Sequence, residues 1–250
     1  MFSKPFRSVV ATVFLLALIE TTGLTGATPG PQPPTALRCE YLSNPLGIDV
    51  LRPRFSWVLE HTERGQKQSA YQILVATQAG LLNQDKGDQW DSGPVASDES
   101  TQVSYAGKPL ESGRTYYWKV RYWDAQASAS AYSAPAQFEM GLLSPAEWKG
   151  QWISGANQLR KEFTLAGKAV RARAYITALG YYELRLNGEK VGPNVLDPGW
   201  TTYEKRMLYT TYDVTAHLRP GANAVGVMLG NGWAVPGARY GPPIATNFSS

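Results

Sequence analysis

The sequence is poor in the side chains on which most covalent and metal-based chemistry depends. Its 250 residues include one cysteine, Cys39, and two histidines, His61 and His217. A single cysteine excludes an intrachain disulfide. Neither histidine has a His or Cys neighbour at metal-ligand spacing, so the sequence predicts no metal site. Cys39 lies in a predicted strand and is expected to be an inert, buried thiol.

Recognised catalytic and cofactor motifs are also missing. The sequence contains no phosphate-binding glycine loop, no G-x-S-x-G turn and no nucleophilic Cys–His arrangement. It therefore predicts no cofactor. Neither heptad repeats nor long amphipathic helical patterns occur, which excludes coiled coils and helical bundles.

A cluster of four acids invites a calcium hypothesis, because calcium favours groups of oxygen ligands. The cluster lacks the alternating aspartates and glycine of a calcium loop. Asp91-Ser92-Gly93-Pro94 within it is typical of a turn, and turn formation is the preferred interpretation. The four acids are Asp88, Asp91, Asp98 and Glu99.

No block of one charge sign is present either. Lys and Arg number 24 against 20 Asp and Glu, and the two signs are spread along the chain. The sequence accordingly predicts no nucleic-acid partner.

Aromatic and turn-forming residues are abundant instead. Phe, Trp and Tyr make up 12% of the chain, and there are 24 Gly and 17 Pro. The apolar content of 43% is enough to bury a core. This balance favours short strands joined by many turns, so we predict an all-β protein.

The first 27 residues have the pattern of a secretory signal peptide. Lys4 and Arg7 precede an apolar run from Val9 to Ile19, and Thr25-Gly26-Ala27 provides small residues for cleavage. The apolar run is too short to span a bilayer comfortably. We therefore expect a secreted or periplasmic protein with no membrane partner after cleavage. Residues 28–34 (TPGPQPP) are predicted to be a linker.

Residues 35–143 predict a seven-stranded antiparallel sandwich of the immunoglobulin or fibronectin III type. Predicted strands cover 37–42, 53–60, 69–77, 89–92, 100–106, 115–124 and 136–141. Alternation is clearest in TYYWKVRYWD, where Tyr116, Trp118, Val120 and Tyr122 share one face.

Residues 151–250 predict a second sandwich, which is jelly-roll-like and incomplete. Its centre is a hairpin in which Tyr182, Leu184 and Leu186 face inward and Asn187-Gly188 forms a tight turn. Strands are predicted at 160–165 and 170–178, from Arg206 to about Tyr212, and around 225–229. A short helical turn is predicted to begin at 213–215.

Two groups of motifs give the chain a family resemblance. WDSGPVASDES followed by GKPLESGRTYYWKVRYWDAQASASAYSAPAQFEMGLL resembles the fibronectin-like module that precedes bacterial α-L-rhamnosidases. EWKGQWI, RKEF, ITALGYYELRLNGEKVGPNVLDPGWTTYEKRMLYTTYDVT and LGNGW resemble the next domain of that family, the α-L-rhamnosidase N-terminal domain. The resemblance spans essentially all of residues 35–240.

The resemblance implies hydrolysis of terminal α-L-rhamnosides with inversion, so rhamnose-containing glycosides or polysaccharides are the implied partners. The family's two catalytic carboxylates lie on an (α/α)₆ barrel that follows the two sandwiches. Residues up to Ser250 show no such barrel, and GPPIATNFSS matches nothing in the family. We therefore expect a truncated gene product, the N-terminal accessory and substrate-recognition portion of a secreted glycoside hydrolase, inactive by itself.

Four acids of the second domain were considered as catalysts, because inversion needs two carboxylates about 6.5–9.5 Å apart. Glu183 is placed on an outer face by alternation, and Asp213 is expected to cap a helix. Capping, turn formation or solvation is the preferred interpretation for these two and for Asp197 and Glu204. No catalytic residue is therefore predicted.

Two tryptophans at loop edges are the candidate sugar contacts. Trp200 and Trp233 each follow a glycine, and Asn231 precedes the second pair. An indole at such an edge can stack on a sugar ring. The alternative is that both indoles close the ends of the sandwich or pack on a neighbouring domain.

Two other functional classes remain open at this point. The chain could be a stand-alone carbohydrate-binding module, or a structural or adhesive pair of β-domains, since sandwich folds host unrelated functions.

Overall fold

A computed structural model describes residues 30–154 and 156–232. These residues form fourteen strands, and their helical content is small. It comprises one α-helix, Ala79–Leu82 (α1), and 3₁₀ helices at Pro145–Glu147 and Thr215–His217. The predicted all-β class is confirmed. None of the helices in this part of the chain is long and apolar enough to cross a bilayer.

The first domain contains eight strands in two antiparallel sheets. One sheet has the order β1-β2-β6, and the other has the order β4-β3-β7-β8 with β5 added to β3. The prediction of seven strands missed β5, which is only two residues long. The strands are β1 (Pro31–Cys39), β2 (Arg54–His61), β3 (Ala70–Ala76), β4 (Trp90–Asp91), β5 (Val95–Ala96), β6 (Val103–Ser104), β7 (Thr115–Trp123) and β8 (Ala136–Glu139).

Strand β1 begins at Pro31, inside the stretch 28–34 that the sequence predicts to be a linker. Pro31 lies opposite His61 and Gln32 opposite Glu60 in the ladder with β2. The proline-rich stretch is tolerated because β1 is an edge strand with two register shifts, so a missing N–H does not break an interior ladder. Residues 1–27, which carry the predicted signal peptide, lie outside the described residues.

Aromatic rings fill the space between the two sheets. The predicted inward face of β7 is confirmed, since Tyr116, Trp118, Val120 and Tyr122 are all buried. Phe55 of β2 reaches across with its ring centroid 4.4 Å from that of Trp118. Cys39 joins this core at 1% exposure. Burial, and to a lesser extent the charge of Glu40, raises the pKa of the Cys39 thiol, which agrees with an inert residue.

The second domain packs a four-stranded sheet against a two-stranded one. The sheets have the orders β12-β11-β14-β9 and β10-β13, and every pairing in them is antiparallel. The inward side chains of β14, Val225, Val227 and Leu229, pack on the core but stay only half-buried. The strands are β9 (Gln158–Leu165), β10 (Arg173–Ile176), β11 (Tyr181–Leu186), β12 (Glu189–Lys190), β13 (Thr210–Asp213) and β14 (Gly221–Gly230).

One strand boundary of this domain was predicted wrongly. Alternation placed a strand from Arg206, whereas β13 begins at Thr210. The side chains of residues 206–209 make contacts outside the sheet instead. Arg206 forms an ion pair with Asp49 of the first domain at 3.2 Å, and Tyr209 accepts a hydrogen bond from the backbone of Leu142. A local sequence pattern cannot reveal such long-range contacts.

The predicted hairpin is confirmed in detail. Leu186 pairs with Glu189, which leaves Asn187 and Gly188 as a two-residue turn with φ angles of 53° and 89°. Tyr182, Leu184 and Leu186 are buried on the inner face. The turn type matches the twist of the two strands and needs residues that tolerate positive φ.

Replacing Gly188 by Val is expected to destabilise the protein by about 1–2 kcal/mol, because a branched residue strains this backbone region. A Cβ at Gly188 would meet no atom within 4 Å, so the cost is one of backbone conformation alone. Gly167→Val is the matched control, since its Cβ also meets open space and its φ is not positive. The melting temperature of Gly188→Val should be lower than that of Gly167→Val. Equal melting temperatures would contradict the turn assignment.

Candidate functional site

A groove of about 410 Å³ lies where the two domains meet. Its walls come from the segment that leaves the first domain and from the residues that precede β13. None of the lining side chains is charged, and most are apolar or aromatic. The lining residues are Leu142, Leu143, Ser144, Pro145, Trp148, Trp152, Thr177, Met207, Leu208 and Tyr209.

A capped 3₁₀ helix forms one wall. Ser144 and Glu147 make a reciprocal capping box around Pro145–Glu147, in which Ser144 Oγ accepts from Ala146 N. The Glu147 carboxylate also accepts from Ser112 Oγ of the first domain at 2.6 Å. These bonds fix the end of the helix, so that Trp148 is held against Tyr209 with 5.8 Å between the ring centroids.

Tyr209 forms the adjoining wall and links the two domains. Its Oη accepts a hydrogen bond from Leu142 N at 2.8 Å. Burial raises the pKa of Tyr209, so the phenol keeps its proton. Gly141 lies against this hydroxyl, and a Cβ there would come within 2.3 Å of Tyr209 Oη. A side chain at position 141 would therefore displace the Tyr209 hydroxyl from its contact with Leu142.

The groove has few polar groups, but those present can still bind a ligand. Thr177 Oγ1 donates to the carbonyl of Leu208 at 2.7 Å and keeps lone pairs for a ligand. Within residues 30–154 and 156–232, no acceptor reaches Nε1 of Trp148 or Trp152. Trp152 stands at the rim and is 59% exposed. An apolar concavity with a small number of polar groups is typical of a small-molecule site.

One of the predicted sugar contacts, Trp200, lies beside this groove rather than in it. Trp200 is 60% exposed and does not belong to the lining. It follows Gly199, which packs towards the groove residue Leu208. Asn231 is exposed, and Trp233 lies outside the described residues. The sequence analysis did not single out Trp148 and Trp152, which lie in or next to the predicted interdomain linker and lack strand alternation.

The four acids considered as catalysts have structural contacts or face solvent. Asp197 Oδ2 accepts from the hydroxyl of Tyr212 and from Asn194 Nδ2. Burial and the bond to Asp197 raise the pKa of Tyr212. Glu183 forms an ion pair with Arg185 at 2.8 Å. Asp213 forms an ion pair with Arg173. Glu204 is exposed.

None of these acids belongs to the groove lining. The prediction that Asp213 caps the 3₁₀ helix is off by one residue: the N-cap is Val214, and Asp213 accepts from Thr215 N, the first residue of that helix. In the acid cluster of the first domain, Asp91 accepts from Gly93 N within the predicted turn. Asp88 instead accepts from the backbone N–H and the hydroxyl of Thr77, outside that turn. In the part of the chain that the structure describes, no group of three or more His, Cys, Asp or Glu side chains is placed to hold a metal ion.

Two family models match the chain, one on each domain. Residues 34–144 match the Rha78A-like, N-terminal immunoglobulin domain. Residues 167–241 match the α-L-rhamnosidase N-terminal domain.

The related proteins described here are much longer than the chain. A Formosa agariphila protein named α-L-rhamnosidase is 38% identical over 221 residues, which cover 76% of this chain and 23% of the relative. The solved structure of α-L-rhamnosidase from Dictyoglumus thermophilum is 43% identical with a TM-score of 0.79, over 81% of this chain and 25% of that one.

The α-L-rhamnosidase from Aspergillus terreus is 34% identical with a TM-score of 0.66, over 80% and 24% of the two chains. The chain thus spans about a quarter of the length of the relatives it matches. Residues 34–144 and 167–241 belong to the two N-terminal domain families of α-L-rhamnosidases, and the chain is the counterpart of an N-terminal portion of those proteins.

Proposed function

We propose that this chain is the accessory portion of a glycoside hydrolase that cleaves terminal α-L-rhamnosides. The observation that supports this most strongly is the order of the two domains, which matches N-terminal α-L-rhamnosidase domains at 34–144 and 167–241. In this proposal the catalytic carboxylates belong to another part of a longer protein. The accessory portion supports that part and contacts the glycoside.

Secretion is a second element of the proposal. The basic residues, apolar run and small residues within 1–27 support a cleaved signal peptide and a secreted or periplasmic location. The first domain is further proposed to be of the fibronectin III subtype of the immunoglobulin-like sandwiches, on the basis of its strand pattern and motifs.

Purified protein is expected to release no nitrophenol from an aryl α-L-rhamnoside above the rate in buffer. Enzymes must remove many kcal/mol from the barrier to glycoside hydrolysis, by a raised-pKa acid and a positioned base. The junction groove has no carboxylate in its lining. Of the four candidate acids, Asp197 and Glu204 lie outside β11 and β13. Turnover that disappears in Asp197→Asn or Glu204→Gln would contradict the assignment.

The coding sequence that follows codon 250 provides an independent check. The proposal expects it to encode a large domain with two carboxylates facing one pocket. A coding region for an unrelated domain would contradict the proposal.

A stand-alone carbohydrate-binding module is the second candidate function. The groove at the domain junction favours it, because an apolar concavity with aromatic walls needs no further domain to bind a small ligand. Trp200 and Asn231 are retained as proposed contacts for the part of the glycoside that extends beyond the groove.

A further inference from the structure

We propose that the junction groove binds the pyranose ring of an α-L-rhamnoside, with the ring between Trp148, Trp152 and Tyr209 and its C5 methyl group on the apolar wall. This inference rests on the proposed function for the class of sugar and on the groove for the site. It places the sugar contact at Trp148, Trp152 and Tyr209, which the sequence analysis did not indicate.

Aromatic rings account for the shape of the site. Trp148 and Tyr209 are inclined to each other at 55° with 5.8 Å between their centroids, so they form a fixed corner. Trp152 is 59% exposed at the rim and presents an apolar face to solvent. Stacking the C–H face of a sugar on this indole removes apolar area from water. The groove volume of about 410 Å³ lies within the usual range for small-molecule sites.

The residues that line the groove have hydrogen-bonding capacity that no described residue uses. The Nε1 donors of Trp148 and Trp152 have no acceptor among the described residues. Tyr209 Oη accepts from Leu142 N, and its own proton is directed to no described residue. Thr177 Oγ1 already donates to Leu208 O and therefore offers only lone pairs. The Ser144 hydroxyl accepts from Ala146 N, and its own proton has no acceptor among the described residues. Four donors and the Thr177 lone pairs can thus pair with ring hydroxyls, each of which both donates and accepts.

The absence of charge from the lining decides the class of sugar. All ten lining residues are uncharged, so a uronate or a sugar phosphate would lose hydration without an ionic partner. Five of them, Leu142, Leu143, Pro145, Met207 and Leu208, offer only carbon or sulfur atoms from their side chains. A methyl group at C5 fits such a wall. A hydroxymethyl group against these five side chains would bury a hydroxyl with no partner among them, which is unfavourable. A 6-deoxyhexose therefore fits better than a hexose.

Titration of the full chain with methyl α-L-rhamnopyranoside tests the site. The readout is the indole N–H resonances of Trp148 and Trp152 in a ¹⁵N-labelled sample, identified from Trp148→Phe and Trp152→Phe. Both resonances are expected to shift and to give one dissociation constant in the millimolar range. Methyl α-L-mannopyranoside, which differs only by the hydroxyl at C6, is expected to bind at least about fivefold more weakly.

Single-residue variants distinguish sugar binding in the groove from binding elsewhere on the surface. Trp152→Ala is expected to weaken rhamnoside binding at least about tenfold, because it removes the stacking surface. The indole is largely exposed, so this variant should keep the melting temperature of the parent. Trp200→Ala, beside the groove, should cost no more than about threefold, since it loses only outer contacts. Tyr41→Ala removes a ring of similar exposure, 55%, in the first domain and should leave binding unchanged.

Three outcomes would overturn the inference. They are indole resonances that do not move with the rhamnoside, equal affinity for the rhamnoside and the L-mannoside, and unchanged binding in Trp152→Ala. A groove that takes up no sugar because it is a contact surface for a further protein domain would give the first of these. The proposed function depends on hydrolysis and on the coding sequence after codon 250, so it can survive a negative titration.

Discussion

Replacing Glu139 by Gln is expected to lower the free energy of unfolding by about 3 kcal/mol, because it leaves the mostly buried Arg173 charge with only the half-exposed Asp213 as an anionic partner. Glu139 lies in β8 of the first domain and is 1% exposed. Arg173 of the second domain donates to both carboxylate oxygens at 2.7 Å, and Arg171 adds a contact at 2.9 Å. Thr115 completes the set from within the first domain at 3.0 Å.

Urea unfolding of the whole chain, followed by fluorescence, measures this loss. Glu162→Gln is the matched control: its ion pair with Arg160 is as short, 2.6 Å, but both side chains are more than half exposed. Exposed pairs contribute about 0–1 kcal/mol. A Glu139→Gln variant as stable as the Glu162→Gln variant would show that the junction pair contributes little to folding.

The same carboxylate predicts a pH dependence. Burial alone would raise the pKa of Glu139, but hydrogen bonds from Arg173, Arg171 and Thr115 outweigh it and hold the pKa below its ordinary value. The stabilisation is therefore fully present above the pKa of the unfolded chain, about 4.3, and is lost as the pH falls through the lower folded pKa. In the Glu139→Gln variant, the free energy of unfolding should therefore fall less as the pH is lowered through the acid range.

Phe55→Ala is expected to cost about 3–5 kcal/mol, the usual range for removing a large buried ring. The Phe55 ring is fully buried and lies 4.4 Å from the Trp118 ring and 5.6 Å from the Phe138 ring. It therefore links β2 of one sheet to β7 and β8 of the other. The variant would leave a cavity at the centre of the aromatic core, which its neighbours cannot fill without leaving their rotamers.

Val58→Ala is the control for this prediction. Val58 is on the same strand but faces the other way and is 51% exposed, so its truncation should change stability by no more than about 0.5 kcal/mol. Denaturant unfolding of both variants in parallel provides the measurement. A loss below about 1 kcal/mol for Phe55→Ala would mean that the two sheets are not held together at this point.

Sequence patterns predicted those parts of the fold that depend on near neighbours. Alternation in β7 identified its inward face, and Asn187-Gly188 identified the hairpin turn, because both features are set by residues that are adjacent in the chain. The start of β1 at Pro31 was missed because tolerance of proline depends on the strand being at an edge. The start of β13 was missed because Arg206 and Tyr209 contact the other domain.

The candidate site was predictable only in part, for the same reason. Loop position alone indicated Trp200 and Asn231. The groove itself is built from three segments that are distant in sequence: 142–152, Thr177 and 207–209. Whether Trp148 and Trp152 face solvent or a core depends on how the two domains meet, and no pattern within either segment carries that information.

The position of β9 has a consequence for self-association. This strand is one edge of the four-stranded sheet, so one side of its backbone has no strand partner among the described residues. Such an edge can template β-pairing with a second molecule. Three consecutive charged residues, Arg160, Lys161 and Glu162, occupy the middle of β9 and are all exposed. Pairing with a second copy there would dehydrate these charges, which disfavours fibril-like growth along this edge.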